Sequence, residues 1–259
     1  MPSADLPVSL RIDALDWPTL LQRLDGDGFA LTGPVLTAAE CEGLIGLYGE
    51  DERFRKRIDM ARYRFGAGDY AYFAEPLPPV VQALRETLYA RLAPVANAWS
   101  ARLGRPQSQD TAAHGAASHG TMAHGAPYVA TLAGFLRRCH GAGQRRPTPL
   151  LLRYEAGGYN CLHQDLYGAV AFPLQATCFL SRSGAEYRGG EFLLLEQRPR
   201  QQSRGTALTP EQGSLAIFPS SERPVPGRRG FIRARMRHGV STVTAGLRYT
   251  LGIVFHDAQ

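Results

Sequence analysis

Apolar positions in the first hundred residues recur at helical spacing. Asp16-Trp17-Pro18 opens a short amphipathic helix through TLLQRL, with Pro18 tolerated in its first turn and Gly26 and Gly28 ending it. Phe29-Ala30-Leu31-Thr32 reads as a short strand. Thr37-Ala38-Ala39-Glu40 is a capping-box pattern, and the helix it starts turns Cys41, Leu44, Ile45 and Leu47 inward. Alternating aromatics and glycines from Tyr63 to Phe73 predict a hairpin. Pro78-Pro79 opens the longest helix, whose buried face carries Val80, Val81, Leu84, Leu88 and Leu92. Pro94 falls inside it and predicts a kink or a break. Residues 104–126 have few large apolar side chains and many Gly, Ala, Ser and His, so they read as a flexible loop. A helix over about 128–140 follows, stopped by Gly141 and Gly143.

From Leu150 the pattern changes to short extended runs. LLLRY, FPLQATCFLS, GEFLLLEQ, SLAIFP, FIRARM and RYTLGIVF are separated by glycine-rich turns. Even spacing of this kind predicts an antiparallel sandwich or barrel. The chain therefore reads as a mainly helical N-terminal support region, residues 1–145, packed on a β-rich core, residues 146–259.

Composition narrows the class. In 259 residues, 44% are hydrophobic and 20% charged, which excludes wholesale disorder. No apolar run approaches the roughly 18 residues a membrane helix needs. No signal peptide is visible at the N-terminus, so the expected compartment is cytoplasmic and no membrane partner is expected. Cys41, Cys139, Cys161 and Cys178 show no CxxC spacing, which argues against a disulfide framework or zinc ribbon. The net charge of +6 permits an anionic partner. Lys56 is the one lysine among 29 Lys and Arg, a usage that marks coding bias. Arginine positions therefore carry more weight than arginine counts.

One constellation carries chemistry. In His163-Gln164-Asp165 two ligand-type side chains stand two residues apart, and on an extended segment such positions share a face. A second histidine, His238, follows the strand FIRARM. Two His and one carboxylate, with positions left open, form the facial triad of a non-haem Fe(II) oxygenase. Ten residues on, Arg248 begins RYTLGIVF, where a planar guanidinium inside a barrel can bind a carboxylate through two hydrogen bonds. His-x-Asp alone reads as a surface turn, but the ordered set His163, Asp165, His238, Arg248 is far more specific.

On these four residues the chain resembles the 2-oxoglutarate- and Fe(II)-dependent dioxygenases. Arg153-Tyr154-x-x-Gly157 leading into Leu162-His163-Gln164-Asp165, with His238-Gly239-Val240 and Arg248-Tyr249-x-Leu251, is similar to AlkB-type nucleic-acid demethylases. Gly189-Gly190-Glu191 is similar to a strand start of prolyl-hydroxylase-like members. The stretch from about 146 to 259 resembles a bacterial branch of oxygenases acting on damaged DNA. The resemblance implies an α+β fold, a double-stranded β-helix (jelly-roll) core with supporting N-terminal helices. It implies Fe(II) on His163, Asp165 and His238. It implies 2-oxoglutarate held by Arg248, Tyr154 and Thr250, and dioxygen as oxidant. Three positions depart from the AlkB pattern: Val254 stands where a second Arg is found, and Leu152 and Thr250 where Asn is found. Hydroxylation or oxidative demethylation of single-stranded or damaged nucleic acid is the leading reading. A protein side chain or small molecule as substrate stays open beside it. A barrel that binds metal or an acidic ligand without turnover has no need of all four residues.

Substrate contacts are expected from Tyr159, Asn160 and Tyr167, which flank the metal motif, and from Arg235 and Arg237. Arg223, Arg228, Arg229 and Arg233 crowd the same approach to His238, and Arg198, Arg200 and Arg204 form a second basic loop. Alternation puts Arg233, Arg235 and Arg237 on one strand face, opposite Ile232, Ala234 and Met236. His114, His119 and His124, spaced by five, read as low-complexity loop rather than as a metal site. His256-Asp257 mimics a ligand pair but reads as structural or exposed.

Overall fold

The computed structural model describes residues 6–104 and 127–259. Helices α1 (Val8–Asp13) and α2 (Trp17–Asp27) lead into strand β1 (Ala30–Leu31) and helix α3 (Ala38–Gly46). Strands β2 (Phe54–Asp59), β3 (Gly66–Ala67) and β4 (Asp69–Phe73) precede the long helix α4 (Pro79–Arg102) and then α5 (Leu132–Gly141). Ten strands follow: β5 (Leu150–Glu155), β6 (Tyr159–His163), β7 (Leu174–Phe179), β8 (Tyr187–Gly189), β9 (Phe192–Gln197), β10 (Arg204–Leu208), β11 (Leu215–Pro219), β12 (Glu222–Gly227), β13 (Gly230–Val240) and β14 (Val243–Ile253).

The caps are those the sequence predicts. Asp16 accepts the Thr19 N–H at 3.2 Å, and Gly28, at φ +85°, ends α2. The Thr37 hydroxyl accepts the Glu40 N–H at 3.1 Å while the Glu40 carboxylate accepts the Thr37 N–H at 2.8 Å. Four expectations are corrected. Helix α4 runs unbroken through Pro94. Pro94 and Ala90 both lie on its exposed face, so water can satisfy the carbonyl that proline leaves unpaired. Helix α5 begins at Leu132 instead of 128, because Asn97 ties both backbone groups of Tyr128 (2.7 and 2.9 Å) and Thr131 caps the helix. The hairpin expected between Tyr63 and Phe73 is instead β2 paired with β4, and β3 between them crosses to pair with β6. Arg204, expected in a loop, begins β10.

The strands form two antiparallel sheets. The larger runs β1-β11-β7-β14-β5-β4-β2, with β8 also paired to β14. The smaller runs β10-β9-β13-β6-β3, with β12 on β13. Strands before residue 146 thus join both sheets, and the expected boundary at 145/146 does not divide them. Strand alternation then sorts the side chains. Leu151, Ala176, Cys178, Leu251 and Ile253 of the larger sheet join the apolar core made with the helices. Their neighbours Leu150, Leu152, Tyr154, Gln175, Thr177, Arg248 and Thr250 face a cavity on the other side. No helix among the described residues is long and apolar enough to cross a membrane.

A buried polar cluster fastens the C-terminal segment to the helices. Arg85 donates to Asp257 Oδ1 at 2.7 Å and to the Val254 and Phe255 carbonyls at 3.0 Å, and His140 Nε2 lies 3.0 Å from Asp257 Oδ2. Gln144, three residues past the end of α5, reaches the Tyr167, Val170 and Asp257 carbonyls and so anchors the loop that follows Asp165. His256 is fully buried, and its Nδ1 accepts the Phe172 N–H at 3.2 Å. Its neighbour Asp257 is equally buried. Asp257→Ala would leave the Arg85 guanidinium buried without its acid. Urea unfolding should then show a loss of about 3 kcal/mol or more, the usual cost of breaking a buried pair from one side.

Candidate metal centre

Strands β6 and β13 are antiparallel neighbours in which His163 and His238 stand opposite each other, with ring centroids 4.2 Å apart. Asp165 follows on the segment leaving β6. Its Oδ2 lies 3.1 Å from His238 Nε2 and its Oδ1 3.6 Å from His163 Nε2. One ligand atom from each of the three falls within 4.8 Å of the others, a set that can hold one metal ion. Gln164, between the two ligands, donates to the Ser221 and Met236 carbonyls at 2.9 Å each and so fixes the motif to β13. His163 Nδ1 is 2.8 Å from the Cys161 carbonyl, which can only accept. That bond assigns the proton to Nδ1 and leaves the Nε2 lone pair facing Asp165.

The electrostatics suit a divalent ion. Burial raises the Asp165 pKa, but the adjoining His163 and His238 rings and hydrogen bonds from His238 and Tyr167 outweigh it and hold the carboxyl well below its ordinary range. Burial, with the neighbouring His163, lowers the His238 pKa, which favours the neutral imidazole. The Tyr167 hydroxyl donates to Asp165 Oδ1 at 2.7 Å. An ionised carboxylate and imidazole nitrogens on one side of a cavity match the facial set of non-haem iron.

Beside the three lies a cavity of about 380 Å³. Arg248 lines it and is only 1% exposed, yet its Nε and Nη1 have no hydrogen-bond partner. No acidic side chain pairs with it among the described residues. Its guanidinium lies 5.4, 5.8 and 6.0 Å from the rings of Tyr154, Tyr187 and Phe179. A buried, unpaired guanidinium is expensive, and a carboxylate entering the cavity would compensate it. Tyr154 is fully buried, its hydroxyl accepting from Asn160 Nδ2 at 3.2 Å, and Thr250 lines the same cavity. The Gly189-Gly190 pair has a local reason here. Gly190 is at φ +64°, and a Cβ there would lie 2.9 Å from Arg248 Cδ.

The cavity gathers His163, Asp165, His238, Arg248, Tyr154, Thr250, Asn160 and Tyr167. Tyr159 is exposed and outside its lining. Arg235 and Arg237 lie outside the cavity lining: alternation turns Met236 and His238 inward and leaves both arginines exposed on the other face of the strand. Arg223 is buried, with Nε and Nη2 on Glu196 Oε2 at 2.7 and 2.6 Å, so it serves the fold. Gln175 and Thr177 also line the cavity. Their signal in the sequence is polar residues alternating with apolar ones in a core strand. His114, His119 and His124 lie outside the described residues.

A family model described as "Oxygenase, catalysing oxidative methylation of damaged DNA" matches residues 68–118 and 112–258. An uncharacterized protein of Mycobacterium tuberculosis is 44% identical over 186 residues, 72% of this chain and 72% of the relative. The chain belongs to the Oxygenase-NA family. Among solved structures, it is similar to a Pseudomonas putida prolyl-4-hydroxylase at 13% identity, covering 94% of this chain and 100% of that one, with a TM-score of 0.50. A Trichoplax adhaerens prolyl hydroxylase in complex with a hypoxia-inducible-factor peptide fragment also has 13% identity and a TM-score of 0.50, covering 99% and 94%. The shared fold is the α+β double-stranded β-helix, and this Oxygenase-NA member is an oxygenase.

Removing the Tyr167 hydroxyl in Tyr167→Phe frees Asp165 Oδ1. Metal affinity, measured by Co(II) titration, should fall roughly 10- to 100-fold, as expected for an outer partner of a ligand. Asp165→Ala should abolish it.

Proposed function

We propose that this oxygenase acts on alkylated, unpaired nucleic acid, with His163, Asp165 and His238 holding Fe(II) and with Arg248, Tyr154 and Thr250 holding 2-oxoglutarate. The carrying observation is Arg248, a buried guanidinium with two unpartnered donors in the cavity that the three ligands share. The description of the family model supports damaged DNA as substrate, and the net charge of +6 suits a polyanion. One observation favours the second reading, a protein side chain or small molecule. Val254 lines the cavity where AlkB-type enzymes carry a second arginine.

With iron, 2-oxoglutarate and dioxygen bound, the chemistry supplied is oxidation of a C–H bond coupled to conversion of 2-oxoglutarate to succinate and carbon dioxide. The chain's residues set the conditions. Tyr167 holds Asp165 ionised and oriented, and Cys161 fixes the His163 tautomer. Arg248 neutralises and orients a distal carboxylate through its paired donors. Leu150, Leu152, Phe192 and Val240 wall the cavity with apolar surface and exclude water from the reacting centre. A methyl group on nitrogen, once hydroxylated, leaves as formaldehyde, whereas a carbon-bound target keeps its hydroxyl.

Succinate and formaldehyde release should be measured with no substrate, with plain single-stranded DNA and with N-methylated single-stranded DNA. Stimulation, with formaldehyde, only in the last case is the expected result. Succinate release indifferent to both DNAs would overturn the substrate and leave the second reading. Arg248→Ala should raise the KM for 2-oxoglutarate on the order of a hundredfold, the scale of truncating one partner of a buried charge pair. Arg248→Lys should not restore it, because lysine lacks the planar fork.

A further inference from the structure

We infer that Tyr63 and Phe65 form a stacking platform for an unpaired base at the cavity mouth, with Arg62 and Arg64 receiving the adjoining phosphates. This inference rests on the proposed nucleic-acid substrate and names the residues that would recognise it.

The segment between β2 and β4 is built to present these side chains. The Met60 carbonyl accepts the Tyr63 and Phe65 N–H groups at 3.2 and 3.0 Å, and Asp59 accepts the Ala61 N–H at 2.9 Å. Arg64 between the two rings is left-handed, at φ +60°, a conformation rare outside glycine. The Phe65 carbonyl accepts the Cys161 N–H at 2.8 Å, and Gly66 and Ala67 pair with Asn160 and Tyr159. At Gly66 a Cβ would lie 2.2 Å from the Tyr159 carbonyl oxygen, so only glycine permits this approach. The turn is thus fastened to the same strand that ends in His163.

What it presents is aromatic and cationic. Tyr63 and Phe65 are 46% and 48% exposed, and their rings stack 5.7 Å apart at 20°. Arg64 and Phe65 line the cavity, and Leu162, on β6, is exposed at the same lining. The Arg62 guanidinium stands 5.9 Å from the Tyr63 ring centre. Neither Arg62 nor Arg64 forms an ion pair among the described residues. Burial does not explain two parallel rings held half in water by a strained turn. A flat π-surface flanked by free guanidinium groups beside a channel to iron ligands complements a base and its phosphates.

The test uses the whole protein and a labelled single-stranded oligonucleotide of roughly 12 nucleotides with one N-methylated base. Anisotropy measures binding and formaldehyde release measures KM. The double variant Tyr63→Ala/Phe65→Ala should weaken binding and raise KM at least tenfold, the scale of losing base–aromatic stacking. Tyr63→Trp/Phe65→Trp should retain wild-type binding, and Arg62→Gln/Arg64→Gln should flatten the salt dependence. If the wild type turns over the oligonucleotide and the alanine variant does so with unchanged KM, the platform is wrong while the nucleic-acid reading survives. Duplex bound as tightly as single strand would also overturn the platform. If no oligonucleotide binds or is turned over by the wild type while succinate is released, the reading and the platform fall together.

Discussion

The antiparallel register of β6 against β13 is the constraint on which the site depends. It sets His163 opposite His238 and brings their rings to 4.2 Å. Strand side chains alternate, so a slip of one residue would turn Arg237 inward and His238 out to solvent. Two features forbid the slip. Gln164 is tied to carbonyls on both Ser221 and Met236. Gly239 approaches the other strand so closely that a Cβ there would sit 2.6 Å from the Asn160 oxygen. The motif His-Gln-Asp therefore supplies two of the three candidate ligands and, through its middle residue, the clamp that aligns the third.

Among the described residues three arginines are fully buried, and their surroundings differ. Arg85 meets Asp257 and two carbonyls, joining α4 to the C-terminal segment. Arg223 meets Glu196 and the carbonyls of Asp25 and Gly26, joining β12 to the end of α2. Both satisfy their charge within the chain. Arg248 faces aromatic rings and open cavity, with two donors unused. Burial alone does not distinguish the three; the lack of an internal acid singles out Arg248.

The grouping of His163, Asp165, His238 and Arg248 around one cavity was legible from the order of their motifs, the antiparallel strands from even spacing, and the double-stranded β-helix from the resemblance those motifs carry. His-x-Asp, the distal His and the Arg ten residues later keep their order whatever the loops between them do. The outward direction of Arg235 and Arg237 was legible too, since the alternation that groups them also puts His238 with Met236 on the other face. Other features depend on partners distant in sequence. Pro94 is tolerated because tertiary packing turns it to solvent. Helix α5 starts late because Asn97, some thirty residues earlier, claims the backbone of Tyr128. The crossing of β3 to the second sheet needs β6, and no pattern within 63–73 announces it. Strands as short as β1 and β3 carry too few alternations to reveal that the first 145 residues build both sheets.

The unmatched charge of Arg248 ties the energy of the fold to small molecules around it. A buried guanidinium with no acid of its own weakens the folded chain, and any dicarboxylate that reaches it does the reverse. By mass action, stability would then rise with the logarithm of the concentration of such a ligand above its dissociation constant. Abundance of the protein in a cell that degrades unfolded chains would then follow the concentration of that ligand, before any turnover takes place.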